Sequence, residues 1–194
     1  MTQTPARTTG SQPSLADAFR ELHASRLLGF ALFVTLGDRQ RATRLASRAL
    51  AAGARRAEEL RHPERGAAWL RQRVISAVSP GGTGWRGSNE ARRMSLAALG
   101  VDSATYEALA QLTVAERAAL VAGYVERFAV LDLELILHAK PNEVRQQVLA
   151  SRRRFLERHP LVVAAGGKTI DAGHGPLATR ITSIANRAFA RTAP

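Results

Sequence analysis

Apolar residues recur along this chain at intervals of three and four, with arginine, alanine and glutamate between them. That period places the apolar side chains on one face of a helix, and the alternation expected of a half-buried strand is nearly absent. Ser14 is the first start signal, a short hydroxyl acceptor ahead of Leu15, with Asp17 in the first turn. The helix it opens carries Leu15, Phe19, Leu22, Leu27, Phe30, Phe33 and Val34. "LGD", Leu36 to Asp38, ends it: Gly37 serves as C-cap and Asp38 caps the next helix. That second helix runs through "RQRATRLASRALAAG" and is expected to stop at Gly53. Its apolar face (Ala42, Leu45, Ala49, Leu50) is interleaved with Arg41, Arg44 and Arg48. A third stretch, Pro63 to Val78, sets Trp69, Leu70, Val74 and Val78 near helical period.

Residues 79–89, "SPGGTGWRGSN", are dense in Gly, Ser and Pro and form the obvious linker. Beyond it come a helix through Met94 and Leu99 and a shorter one through Tyr106 and Leu109. "TVAE", Thr113 to Glu116, is a capping box for a helix carrying Leu120, Val121 and Val125. "LDLELIL", residues 131–137, reads as a short helix, although its alternation also suits a strand. "HAKP" breaks the chain, and Asn142 is expected to cap the next helix beyond Pro141. The expected architecture is all-α, with two small helical domains joined by a Gly/Ser/Pro linker, the second a helix-turn-helix. The boundaries are a disordered tail over 1–13, a first domain over 14–78, the linker over 79–89 and a second domain over 90–159. An extension over 160–194 ends in an amphipathic helix from Pro176, with Leu177, Ile181, Ile184 and Ala188 on one face.

Charge adds a partner class to this outline. The net charge of +12 and pI near 11.6 create an attractive field for polyanions, nucleic acid first and anionic membrane second. Only Lys140 and Lys168 among the 28 basic residues are lysine, so an arginine-biased composition is the plainer explanation to set beside it. With no cysteine, disulfides, thiolate metal sites and cysteine nucleophiles are excluded. The polar opening has no apolar segment of a leader, and no window approaches a membrane span, so the expected compartment is the cytoplasm.

Little in the chain points to catalysis. "GTGWRG", Gly82 to Gly87, matches G-x-G-x-x-G, but a dinucleotide site needs a strand before it and a sheet around it, so linker glycine is the better reading. "GGKT", Gly166 to Thr169, resembles the end of a phosphate-binding loop, yet the first glycine that motif requires falls at Val162. His23, His62, His138, His159 and His174 lack metal-ligand spacing, and each is expected at the surface or in a loop. No serine sits in a nucleophile-elbow context and no pair of acids suggests acid–base work. The expectation is a protein that is not an enzyme and needs no cofactor.

What remains is the order of elements in the second block: a capped helix, a short helix, a tight break and a longer basic helix. In a helix-turn-helix the second helix enters the major groove, its first turns facing base edges while later basic residues hold phosphate. Val144, Val148 and Phe155 form the inward face of residues 140–159. Asn142, Glu143, Arg145, Gln146 and Gln147 occupy the early turns, and Arg152, Arg153 and Arg154 follow as phosphate clamps. Glutamine pairs with adenine and arginine with guanine, so these side chains suit base reading. The alternative is a solvated basic helix that contacts nothing.

Residues 111–157 resemble the C-terminal helix-turn-helix of extracytoplasmic-function sigma factors, which binds the upstream promoter element. Leu112, Arg117, Val125 and Glu126 fall on that family's opening pattern. Val144, Arg145, Val148 and Arg152 fall on its recognition-helix positions. "TLGD" (35–38) and "AAWL" (67–70) are similar to motifs of the family's polymerase-binding domain. The resemblance implies promoter DNA and core RNA polymerase as partners, and an anti-sigma or other regulatory protein as a further one. It implies a polymerase contact at Asp38, Thr43, Arg44, Ser47 and Arg48. After the "GD" that family has an acidic segment, and here Thr43, Arg44 and Arg48 stand where its acids fall. Glu134 and His138 stand where the family prefers small residues, and Glu143 adds a negative charge near the phosphates. Three readings follow: a divergent sigma factor, a sigma-like protein-interaction module without promoter activity, or an unrelated basic helical protein that binds nucleic acid or membrane without sequence preference.

Overall fold

A computed structural model of the chain describes residues 14–78 and 88–159. Among them the structure is all-helical and contains no strand. The expected tail, the body of the linker, the two glycine motifs and the C-terminal extension with its helix lie outside the described residues. Helix α1 (Leu15–Val34) starts on Ser14, whose Oγ accepts the Asp17 N–H at 3.2 Å. It closes through Thr35, whose hydroxyl donates to the Ala31 carbonyl at 2.7 Å, and through Gly37, whose N–H donates to the Leu32 carbonyl at 2.8 Å. Gly37 has φ +80°, and a Cβ there would stand 2.4 Å from the Arg92 carbonyl oxygen, so both conformation and space demand glycine. Asp38 then accepts the Arg41 N–H at 3.0 Å and starts α2 (Arg39–Ala54).

Gly53 is not the stop that its sequence context suggested. It lies inside α2, and a Cβ there would sit 2.7 Å from the Phe19 ring, so its missing side chain lets α1 and α2 approach. α3 (Pro63–Ala77) begins with proline, whose fixed φ suits a first helical turn. Its Leu70, Val74 and the following Val78 are buried against the first two helices, whereas Trp69 is half-buried.

The second block starts earlier than expected. Ser88 accepts the Ala91 N–H at 3.2 Å and caps α4 (Asn89–Ala97), so the last two residues of the expected linker already belong to a helix start. α5 (Ser103–Ala110) is capped by Asp102, and α6 (Val114–Leu120) by the expected box. Glu116 N–H donates to Thr113 Oγ1 at 3.2 Å, and the Glu116 carboxylate accepts the Thr113 N–H at 2.8 Å. Instead of ending, α6 widens: Glu126 N–H reaches back five residues to the Val121 carbonyl at 2.9 Å, forming a π-helical turn over Val121–Val125. α7 (Val130–Leu137) and α8 (Pro141–Arg158) follow.

The two blocks expected as separate domains share one apolar core. Phe30, Leu27 and Leu70 of the first belong to the same buried cluster as Leu96, Leu120 and Ile136 of the second. α1 packs against α6, and α3 packs against α7. Polar contacts cross the same boundary. Arg71 (α3) is 1% exposed, its Nε donates to Glu126 Oε2 at 2.5 Å, a second guanidinium nitrogen pairs with Oε1, and Nη1 donates to the Ala67 carbonyl at 2.9 Å. The same guanidinium lies over the rings of Phe128 and Phe30 at 4.8 and 5.6 Å. Arg117 (α6) donates to the Val34 carbonyl at 3.0 Å and to the Leu109 and Leu112 carbonyls at 3.2 and 2.5 Å. Burial pushes its pKa down to about 10, which leaves it charged at neutral pH.

Two of the histidines expected at the surface are interior. His23 lies edge-on to Phe19, with ring centroids 4.5 Å apart, and His159 meets Thr105 Oγ1 at 2.9 Å. Each falls on the apolar face of a helix or at its end, so periodicity carried it inward and a neighbour from elsewhere completed its surroundings.

Candidate nucleic-acid interface

α7 and α8 are joined by His138, Ala139 and Lys140, a turn of the length a helix-turn-helix uses. His138 adopts φ 50°, the left-handed conformation that ends α7, and its Nε2 lies 2.5 Å from Gln72 Nε2 on α3. Histidine tolerates this region better than most side chains, so His138 ends α7 without breaking the turn. Asn142 does not cap α8, because Pro141 takes the first helical position and moves the cap to Lys140. The Glu143 carboxylate then accepts the Lys140 N–H at 3.0 Å. Its negative charge answers the positive end of the helix dipole.

α8 buries Val144, Ser151 and Phe155 against α6 and α7, with Val148 half-buried. Val148 reaches the π-helical turn at Gly123, where a Cβ would be only 2.7 Å from Val148 Cγ1. At about 100° per residue, the row opposite Val144 contains Asn142, Gln146, Leu149 and Arg153. All of them are exposed, Leu149 to 61%. Arg145 and Arg152 flank this row on one side, Gln147 and Arg154 on the other, and all four are exposed.

These side chains differ in how they are held. Arg145, Gln146 and Gln147 make no side-chain hydrogen bond or ion pair among the described residues, so they present their full donor capacity. The Arg152 guanidinium lies over the Tyr124 ring at 5.5 Å. Arg153 Nε stands 3.6 Å from Glu157 Oε1, and Arg154 is paired with Glu116 at the start of α6. Arg158 donates to Gln111 Oε1 at 2.5 Å. The arginine run is thus three different things: a stacked group, a loosely paired group and a group tied back to the scaffold. The inward row was readable from period alone. Leu149 was missed although the same count from Val144 places it outward, and Tyr124 was missed because it comes from another element.

The polymerase-contact set is less coherent. Asp38 is buried and its carboxylate is engaged in capping α2. Thr43 and Ser47 are half-buried, and Arg44 and Arg48 are exposed on the outer side of α2. No group of His, Asp or Glu among the described residues is arranged to hold a metal ion. No helix among the described residues is long and apolar enough to cross a membrane. No protein-family model matches the chain, and neither a curated protein nor a solved structure matches it.

Proposed function

We propose that this protein is a sigma-factor-like transcription protein of the cytoplasm, binding promoter DNA through α8 and core RNA polymerase through its first three helices. The observation that carries this reading is the outward row of α8. A helix seated on α6 and α7 by a three-residue turn presents Gln146 and Arg153 away from the scaffold, with basic side chains on both flanks. Major-groove recognition requires that disposition. Gln146→Ala is expected to change the ranking of promoter-like duplexes, each altered base pair shifting by about 1–3 kcal/mol. Arg152→Ala is expected to weaken binding evenly across sequences. Band-shift titrations against a randomised duplex pool measure both, and equal uniform losses from the two variants would remove the division of roles. Co-purification with core polymerase, followed by transcription from a selected promoter, tests the second half of the proposal.

A second reading is favoured by one observation. Arg44 and Arg48 stand where the sigma family has acids, and like charges meeting at an interface oppose association. A sigma-like scaffold that has given up promoter activity and binds a regulatory protein fits that surface. It predicts a protein partner and no duplex affinity above background at low salt.

A further inference from the structure

The outer side of α2 carries a stripe of arginine on a helix that has no acidic residue. Counting about 100° per residue, Arg41, Arg44 and Arg48 fall in one sector of the helix, and Arg55, its C-terminal cap residue, continues it. The stripe spans roughly 21 Å at 1.5 Å per residue. Arg44, Arg48 and Arg55 are exposed and Arg41 is half-buried. None of them has a carboxylate partner among the described residues, and α2 itself contains no acid. Other exposed arginines, among them Arg20 with Asp17, Arg56 with Glu59, Arg93 with Glu107 and Arg154 with Glu116, do have a carboxylate within reach.

This arrangement works against the helix that carries it. Arg39 and Arg41 lie in the first turn, where the helix dipole is positive and cations are disfavoured. Arg44 and Arg48 are an i, i+4 pair of like charge, which costs a few tenths of a kcal/mol. The opposite face of α2, built from Ala42, Leu45, Ala46, Ala49 and Leu50, is fully buried, so the stripe contributes nothing to the core. The residues of α2 beside the stripe, exposed Ala51 and half-buried Ala52, are small and give the helix no large apolar group there to enter a lipid surface.

We infer that this face of α2 is a second nucleic-acid contact that grips the phosphate backbone of a duplex without reading its sequence. A duplex presents one charge per about 1.7 Å, hence roughly 12 phosphates along the stripe. Few protein surfaces approach that density, and the arginine fork matches phosphate geometry in a way lysine does not. The inference does not depend on α8 reading bases, because the stripe sits on the first block and needs only a polyanion. It also gives Arg44 and Arg48 a function that a polymerase contact does not.

The test uses the full chain and the triple variant Arg44→Gln, Arg48→Gln, Arg55→Gln. Affinity for a mixed-sequence duplex of about 25 base pairs is measured from low to moderate salt. Losing three phosphate contacts should lower the slope of log K against log salt by about 2–3, and the affinity at 0.15 M salt roughly 10- to 100-fold, equally on every sequence. The melting temperature should hold or rise, since like-charge repulsion has been removed. An unchanged slope in a folded triple variant overturns the inference. So does a loss confined to vesicles rich in phosphatidylserine, or to polyglutamate, with duplex binding intact. Gln146→Ala is run in parallel: if it leaves sequence ranking untouched while the triple variant lowers the slope, the α8 reading fails and the α2 contact stands.

Discussion

Arg71 and His23 share the space between α1 and α3, and each carries a consequence that one substitution exposes. Arg71 is held by Glu126, by the Ala67 carbonyl and by two aromatic rings. Replacing one partner of a buried pair leaves the other desolvated and unanswered. Arg71→Met is therefore expected to cost about 3–5 kcal/mol, and Arg71→Met with Glu126→Met to recover much of that loss. Urea unfolding of the two variants decides it; equal losses would show that the pair's charge is not what matters. His23 is 5% exposed, and its Nε2 has no hydrogen-bond partner among the described residues. Desolvation first, then repulsion from Arg71 and Arg26, lowers its pKa from 6.5 to about 4. Above pH 6.5 both states are neutral and stability is unaffected by this group. Below it the unfolded chain takes up a proton that the folded chain refuses, so stability falls until about pH 4. The loss should reach about 2 kcal/mol at pH 5. His23→Leu should remove that part of the pH dependence between pH 7 and 5 in thermal melts.

At the scale of elements, the contact between the π-helical turn and α8 decides where the outward row points. Gly123→Ala places a methyl group against Val148 and is expected to cost about 1–3 kcal/mol by overpacking. Val148→Ala in the same chain should relieve most of it, and a double-mutant cycle reads the coupling. Thr113→Ala removes one half of the capping box of α6, with an expected cost of about 1 kcal/mol. Helix starts of this kind were the most legible part of the sequence. At Ser14, Asp38 and Thr113 the cap is satisfied within three residues, so its chemistry is local. Legibility failed where a distant partner sets the outcome. Gly53 has the look of a terminator, but the Phe19 ring decides its role. Asn142 is a good capping residue, but Pro141 takes the first helical position and the cap falls on Lys140. The outward face of α8 was legible as a face, whereas the tethering of Arg154 to Glu116 was not, because nothing near residue 154 specifies residue 116.

For the whole molecule, the all-α class followed from period and composition, but the joining of the two blocks did not. Glycine, serine and proline between two amphipathic stretches suggested two independent cores. The side chains that unite them, Arg71 with Glu126 and Arg117 with the Val34 carbonyl, stand 55 and 83 positions apart. One continuous core predicts one cooperative transition. Calorimetry of the full chain should give a single peak whose van't Hoff and calorimetric enthalpies agree, and two resolved peaks would contradict a shared core. The reach of Arg117 also bears on the order in which the chain matures. The carbonyl at the end of α1 is answered by a residue from α6, so a nascent chain leaving the ribosome completes α1 with water in that place. It exchanges water for guanidinium only after residue 117 has been synthesised. At about 5–20 residues per second, that is a wait of several seconds, during which the apolar side of the first three helices has no permanent cover. Chaperone engagement of chains arrested before residue 117, and its release once the chain extends past the π-helical turn, is the signature such a wait should leave during translation.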